Sequence, residues 1–395
     1  MNKKFYVMAA FAAVTMAGMT SCSNDDAIET GAMPNSSIQK NGTIGFNITQ
    51  DDAISTRGTA TTPENFLSQI SDFQVIGFYS DGSGRYVGSA NNVGTVIDGD
   101  GAGAWDYHTA TQVQYWPTGN LDFQAITPSA DASFTLANTV DESTPGEIYP
   151  RLVANVTVPS AVANQKDIMF ASATAQNHAA DGLPVDLTFT HALSQVVFSG
   201  KVASTNITAI VNEIEICNIH DMGRVGYLAA LTTLSAAATG TATASFQPGL
   251  KTDVADRTMT TTDAKDLTAT DGALMMIPQE QTAWTHTTPE KAIANATGSY
   301  LRISCKVQDN TSSTWLIGAA SGVGEFEDVY IPFDLATANS KNWELGKRYT
   351  YTLVFGNGTG GYDENGDPLT NMVPITYTVT TANSWTPAPG VEVAF

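Results

Sequence analysis

The sequence predicts an all-β chain of two β-sandwich domains in tandem. Short runs of alternating apolar and polar residues recur along it, as in Tyr349–Phe355 and Ile375–Val379, the period of a strand with one buried face. Turn signals separate such runs: Asp81-Gly82-Ser83-Gly84, Asp98-Gly99-Asp100-Gly101, Asn357-Gly358 and Asn365-Gly366. Charged residues make up only 14% of the 395 and hydrophobic residues 42%, a low-charge composition with ordinary material for cores. At about 150 residues per domain, the length suits two.

The chain opens with an export signal. Lys3 and Lys4 precede an uncharged apolar run, Phe5–Met19, shorter than the roughly 20 residues a membrane-spanning helix needs. Met19-Thr20-Ser21-Cys22 closes it and reads as a lipoprotein processing site. Residues 1–21 would be removed and Cys22 acylated, which anchors the chain to a membrane by lipid. Residues 23–41 are polar and read as a tether. Thr43–Thr49 follows, with Ile44, Phe46 and Ile48 alternating with small or polar residues, a half-buried strand. A second polar loop holds Ser55-Thr56-Arg57-Gly58-Thr59 and a threonine run. Arg57 is the first arginine of the chain and no other Lys or Arg lies between Lys40 and Arg85. A lone Arg in a small-residue loop is a place where proteases enter, here just after an isolated strand.

Further strands are predicted at Phe73–Tyr79, Leu121–Ile126, Leu152–Val158, Val185–Phe189, Gln195–Ser199, Ile210–Ile216, Leu301–Val307, Tyr349–Phe355 and Ile375–Val379. Asn65–Ile70 and Ala229–Ala238 are the better short-helix candidates. The organisation reads as 1–21 signal, 22–57 tether and N-terminal strand, 58–203 first sandwich, and 204–395 second sandwich. The end of the chain, Thr386-Pro387-Ala388-Pro389-Gly390, holds an extended hinge. Val391, Val393 and Phe395 then alternate with Glu392 and Ala394. That is a short strand with one apolar face, able to dock at home or in a neighbour.

No catalytic signature is present, and no enzyme, metal or cofactor is expected. Gly-x-Ser-x-Gly, His-Glu-x-x-His, the phosphate-binding loop and Cys-x-x-Cys are all missing. Cys217-Asn218-Ile219-His220 offers two of the four ligands zinc takes. Asp363-Glu364-Asn365-Gly366-Asp367 lacks the glutamate that would complete a calcium loop and reads as a hairpin tip. His191, between Phe189 and Leu193, reads as a packed structural histidine, and the scattered tryptophans read as core. With Cys22 lipidated, Cys217 and Cys305 either pair or stay buried as thiols. The balance of 39 acidic against 18 basic residues, net −21, argues against nucleic acid and anionic lipid headgroups as partners.

The order of lipidated Cys, tether, single strand, exposed Arg and two sandwich-sized parts resembles the fimbrillin family, the subunits of type V pili. Several stretches are similar too: Lys166-Asp-Ile-Met-Phe-Ala, Leu187-Thr-Phe-Thr-His-Ala-Leu-Ser, Leu345-Gly-Lys-Arg-Tyr-Thr-Tyr-Thr-Leu, Gly360-Gly-Tyr-Asp-Glu-Asn-Gly-Asp-Pro, and Ile375-Thr-Tyr-Thr-Val with Trp385. The resemblance implies two transthyretin-like sandwiches and export as an outer-membrane lipoprotein through Cys22. It implies a cut between Arg57 and Gly58 by an Arg-specific surface protease, and removal of the strand carrying Ile44, Phe46 and Ile48. The open groove would then take a strand from another pilus subunit. Val391, Val393 and Phe395 are the candidate donor. The competing reading is a non-polymerising surface lipoprotein, a tip or anchor subunit or a module that holds a glycan or host ligand.

Overall fold

A computed structural model describes residues 42–50, 70–88, 94–101, 103–138, 151–178, 183–228, 232–333, 342–357, 361–369 and 375–382. Its regular structure is strands with a few short 3-10 turns. In chain order the strands are β1 Phe46–Gln50, β2 Asp72–Tyr79, β3 Arg85–Val87, β4 Thr95–Gly99, β5 Trp105–Tyr107, β6 Leu121–Thr127, β7 Phe134–Asn138, β8 Leu152–Thr157, β9 Met169–Gln176, β10 Val185–His191, β11 Ser194–Val202 and β12 Ile207–Ile219. There follow β13 Met222–Gly226, β14 Ser235–Thr239, β15 Ala244–Phe246, β16 Thr258–Met259, β17 Lys265–Asp266, β18 Leu274–Met276, β19 Tyr300–Asp309, β20 Thr314–Ile317, β21 Glu327–Pro332, β22 Arg348–Phe355 and β23 Ile375–Ala382.

These strands build four sheets. The first runs β1-β10-β9-β6-β2-β4-β5, with β3 beside β2, and the second runs β14-β13-β8-β7. Ile76, Phe78, Ile126 and Phe170 of the first meet Leu152, Ala154, Val156 and Val225 of the second in one core, the packing of a sandwich. The third sheet centres on β11-β22-β23 and the fourth on β12-β19. Val196, Phe198, Tyr351 and Leu353 of the third join Val211, Ile214, Leu301 and Ile303 of the fourth in the same continuous core. The fold is thus all-β and arranged as two sandwiches.

Alternation explains most of these strands. In β10, Val185, Leu187, Phe189 and His191 are buried while Asp186 and Thr188 are exposed, as a two-residue period requires. Two sequence expectations change. Ala229–Ala238 is not a helix where it is described: Ser235–Thr239 is a strand paired along its length with Met222–Gly226. Alanine's helix preference is a fraction of a kcal/mol per residue, and a sheet ladder overrides it. The 203/204 boundary is crossed by the sheets, because β13 returns to pair with β8 of the first sandwich. Residues 34–395 group as one compact unit. Of the other helix candidate, residues 65–69 lie outside the described residues, and Ile70 is buried.

β10 and β11 form one nearly continuous line through both sandwiches. Val185 N donates to the Gly45 carbonyl (2.8 Å), the Leu193 carbonyl accepts from Gly346 N (3.1 Å), and Gln195 N donates to the Lys347 carbonyl (2.9 Å). Ala192 N points the other way, to the Ile168 carbonyl at 2.8 Å. Odd-numbered residues therefore turn their backbone first to β1 and then to β22. Both of those strands run parallel to β10–β11 and lie end to end along one side of it. Gly346 sits at the junction with φ +65°, a backbone conformation glycine adopts without strain.

Candidate functional site

The eight-stranded sheet has a second core on its other face, separate from the sandwich core. Phe73 and Val75 of β2, Phe123 and Ala125 of β6, Met169 and Ala171 of β9, and Leu187 and Phe189 of β10 supply it, together with Ile44, Phe46 and Ile48. Phe46 makes edge-to-face contacts with Phe73 at 5.8 Å and Phe123 at 5.7 Å. Those rings belong to strands well away from β1 in the sheet order. The sheet must therefore curl over for them to meet.

The segment 42–50 is the seam of that roll. On one side β1 pairs in parallel with β10, from Phe46 opposite Val185 to Gln50 opposite Phe189. On the other side Thr43 bridges Tyr115, Ile44 N donates to the Gln114 carbonyl (2.9 Å), and Trp116 N donates to the Gly42 carbonyl (3.0 Å). Tyr107 adds its hydroxyl to the Ile44 carbonyl at 2.8 Å. Burial holds the Tyr107 phenol well above its ordinary pKa, so it stays a neutral donor. These bonds tie the Gly42–Ile44 end of the seam to the 114–116 stretch on the side away from β10, where a strand edge would otherwise be open.

Side chains fix the register. Ile44, Phe46 and Ile48 are 0, 1 and 0% exposed, and each such burial contributes about 1.5–3 kcal/mol. Outward-facing Asn47 donates from Nδ2 to Asp186 Oδ1 at 2.8 Å, and Thr49 pairs with Thr188, hydroxyl to hydroxyl, at 3.2 Å. At the end of the strand Gln50 Nε2 meets His191 Nε2 at 2.8 Å. His191 Nδ1 in turn contacts Asp167 Oδ1 at 3.0 Å. His191 and Asp167 have side chains only 8 and 3% exposed, so His191 is indeed a packed structural residue. The sequence singled out the three apolar side chains of β1. It missed Gln50, Asp167, Tyr107 and the Gln114–Trp116 rail, because a partner far along the chain leaves no local periodicity.

The other candidate site residues fall elsewhere. Cys22, Arg57, Gly58, Val391, Val393 and Phe395 lie outside the described residues. Cys217 and Cys305 are buried free thiols. Asp363 accepts from the backbone N–H groups of Asn365 and Asp367, both at 2.9 Å, which makes it the organiser of a hairpin tip. Among the described residues no cluster of His, Cys, Asp and Glu is arranged to hold a metal, and no helix is long and apolar enough to cross a membrane. Trp105, Trp284 and Trp343 are core residues.

Comparison with known proteins follows the same line. A family model described as fimbrillin-like matches residues 48–381. A fimbrial protein of Bacteroides vulgatus superposes with TM-score 0.53 at 14% identity, over 87% of this chain and 99% of that one. At that identity the likeness is one of fold. The fimbrial anchor protein Mfa2 of Porphyromonas gingivalis gives 0.36 at 11% identity, over 85% of this chain and 96% of that one. A C-terminally truncated form of the tip fimbrial protein Mfa3 of the same organism gives 0.38 at 12%, over 82% and 96%. No curated protein sequence matches the chain.

Proposed function

The chain belongs to the fimbrillin-like family, and on that premise we propose that it is a structural subunit of a cell-surface fimbria that joins its neighbours by exchanging the seam strand. Membership supports a surface fimbrial or adhesin-type protein with a structural rather than a catalytic role. The finer steps rest on the seam. The chain is exported and lipidated at Cys22, which holds it at the outer membrane. An Arg-specific surface protease cuts between Arg57 and Gly58. Segment 42–50 is then joined to the rest of the molecule by non-covalent contacts alone, and leaves.

Its departure uncovers the second core and the free edge of β10. An unpaired edge beside an apolar groove is a template for another chain's strand, which restores the backbone hydrogen bonds and buries alternate side chains. Val391, Val393 and Phe395, beyond the Pro387–Gly390 hinge, have the alternation a donor needs. The partners are then other pilus subunits. The observation that carries this reading is the seam position itself: one N-terminal segment, tied on both flanks, closes an entire core.

Arg57→Ala tests the reading. The variant is expected to remain a lipidated monomer with its own strand in place. Shed polymers of the variant would contradict the cut. Deleting Pro387–Phe395 tests the donor: the truncated chain is expected to fold, be lipidated and be cut, but not polymerise, and unimpaired polymers would place the donor elsewhere.

A further inference from the structure

β14 is the outermost strand of the second sheet, which runs β14-β13-β8-β7. Its residues Ser235–Thr239 pair with Met222–Gly226 of β13 in unbroken antiparallel register. Among the described residues its other edge is bonded to no strand and forms no bridge. A row of unpaired backbone N–H and C=O groups is a template for another chain, and native edges are guarded against this by charge, proline or a bulge. β17, at the edge of the third sheet, is Lys265–Asp266. β5, at the edge of the first, carries Asp106. β14 is Ser-Ala-Ala-Ala-Thr and has none of these guards.

The apolar surface does not stop at this strand. Leu234, Ala236 and Ala238 pack against the sandwich core, while Ala237 and Thr239 are exposed, as alternation requires. An open groove of about 510 Å³ lies on the inner face, lined by Leu234, Ala236 and Ala238 together with Pro278, Trp343 and Leu345. Its volume is within the range of ligand pockets, about 300 to 1,000 Å³. The lining away from β14 is braced by its own short ladder. Gln279 N donates to the Trp343 carbonyl at 3.0 Å, and Trp343 N donates to the Gln279 carbonyl at 2.8 Å. A strand added to the β14 edge would set its inward side chains into this groove, and the alanines leave room for them. Exposed Glu280 and Glu344 stand at the rim, where Lys347 pairs with Glu344. The rim thus has two carboxylates against one cation.

We propose that the β14 edge and its groove take an extended basic segment of another protein, which joins the second sheet as a further strand. Small or apolar side chains at alternate positions enter the groove, and a lysine or arginine on the same face reaches Glu280 and Glu344. Main-chain hydrogen bonds supply the affinity, and the alternate side chains select the partner. Charge argues against a second copy as the occupant. Each chain carries net −21, and pairing two β14 edges would bring two acidic rims together. The edge needs no cut and no departing strand, so this inference is independent of strand exchange.

The test uses the full mature chain and the end-blocked peptide Thr-Val-Thr-Val-Thr-Lys-Thr, with calorimetry for affinity and hydrogen exchange for location. The peptide is expected to bind saturably and to slow exchange of amides within Ser235–Thr239. Its counterpart with glutamate in place of lysine is expected to bind at least about tenfold more weakly, because like charges then meet at the rim. The lysine peptide N-methylated along its backbone cannot join a ladder and is expected not to bind. Glu280→Gln, at an exposed position, is expected to weaken the lysine peptide about threefold, as loss of a surface ion pair does. Absence of saturable binding, equal affinity for the lysine and glutamate peptides, undiminished binding of the N-methylated peptide, affinity unchanged in Glu280→Gln, or protection away from β14 overturns the proposal. So does protection of Ser235–Thr239 that rises with protein concentration in the absence of peptide, which would make the edge a contact between copies.

Discussion

β1 and β22 lie along the same side of one continuous strand and run the same way, yet they are held differently. β22 pairs over eight positions with β11 and over eight more with β23. β1 pairs over five positions with β10, and among the described residues the backbone of its other flank is tied through Gly42, Thr43 and Ile44. β22 is internal to its sheet, so taking it out would split the second sandwich. β1 closes a roll, so taking it out opens one core and leaves the sandwich core in place. Parallel pairing to a common strand does not make two strands equivalent; what lies on the far side decides which one can be exchanged.

Substitutions in the two strands sharpen this contrast. Phe46→Ala is expected to destabilise the uncut chain by about 3–5 kcal/mol and to leave the chain cut after Arg57 unaffected. Leu353→Ala in β22, a fully buried residue, is expected to cost about 2–5 kcal/mol in both forms. Denaturant melts of the two forms check this. Equal effects of Phe46→Ala on both would mean that β1 does not leave.

The junction gives a smaller effect of the same kind. His191→Ala removes a partner of the buried Asp167 carboxylate, and is expected to cost about 1–3 kcal/mol in both forms. Gln50→Ala removes a contact made by the seam strand, and is expected to cost about 1 kcal/mol in the uncut form alone. A Gln50→Ala effect that persists after cutting would tie Gln50 to the body of the protein.

The smallest expected effect is none at all. Burial pushes the Cys217 thiol up to about 11 and the Cys305 thiol higher still. Both sit on strands of the fourth sheet, away from the seam core, and at pH 8 both are protonated. Thiol reagents are expected to label neither before or after the cut, as read by mass. Labelling of Cys305 after the cut would mean that opening the roll also loosens the second sandwich.

The sequence makes part of this legible. The clean alternation of Ile44, Phe46 and Ile48, and of Tyr349 through Phe355, locates two strands and their buried faces, because side-chain period is a local property. β9 is mostly small residues after Met169 and Phe170 and carries little such signal. β14, Ser-Ala-Ala-Ala-Thr, looks helical until β13 stands beside it. The parallel register of β1 on β10, separated by 139 residues at Asn47 and Asp186, depends on loop closure and leaves no trace in composition.

The central claim is that the seam strand is removed and replaced. The most direct measurement is the intact mass, under native and denaturing conditions, of subunits recovered from the cell surface. The account predicts a chain beginning at Gly58, with segment 42–50 absent from the native assembly. A chain with an acylated Cys22 in the polymer, or a Gly58 chain that still carries its own 42–50 peptide, would contradict it.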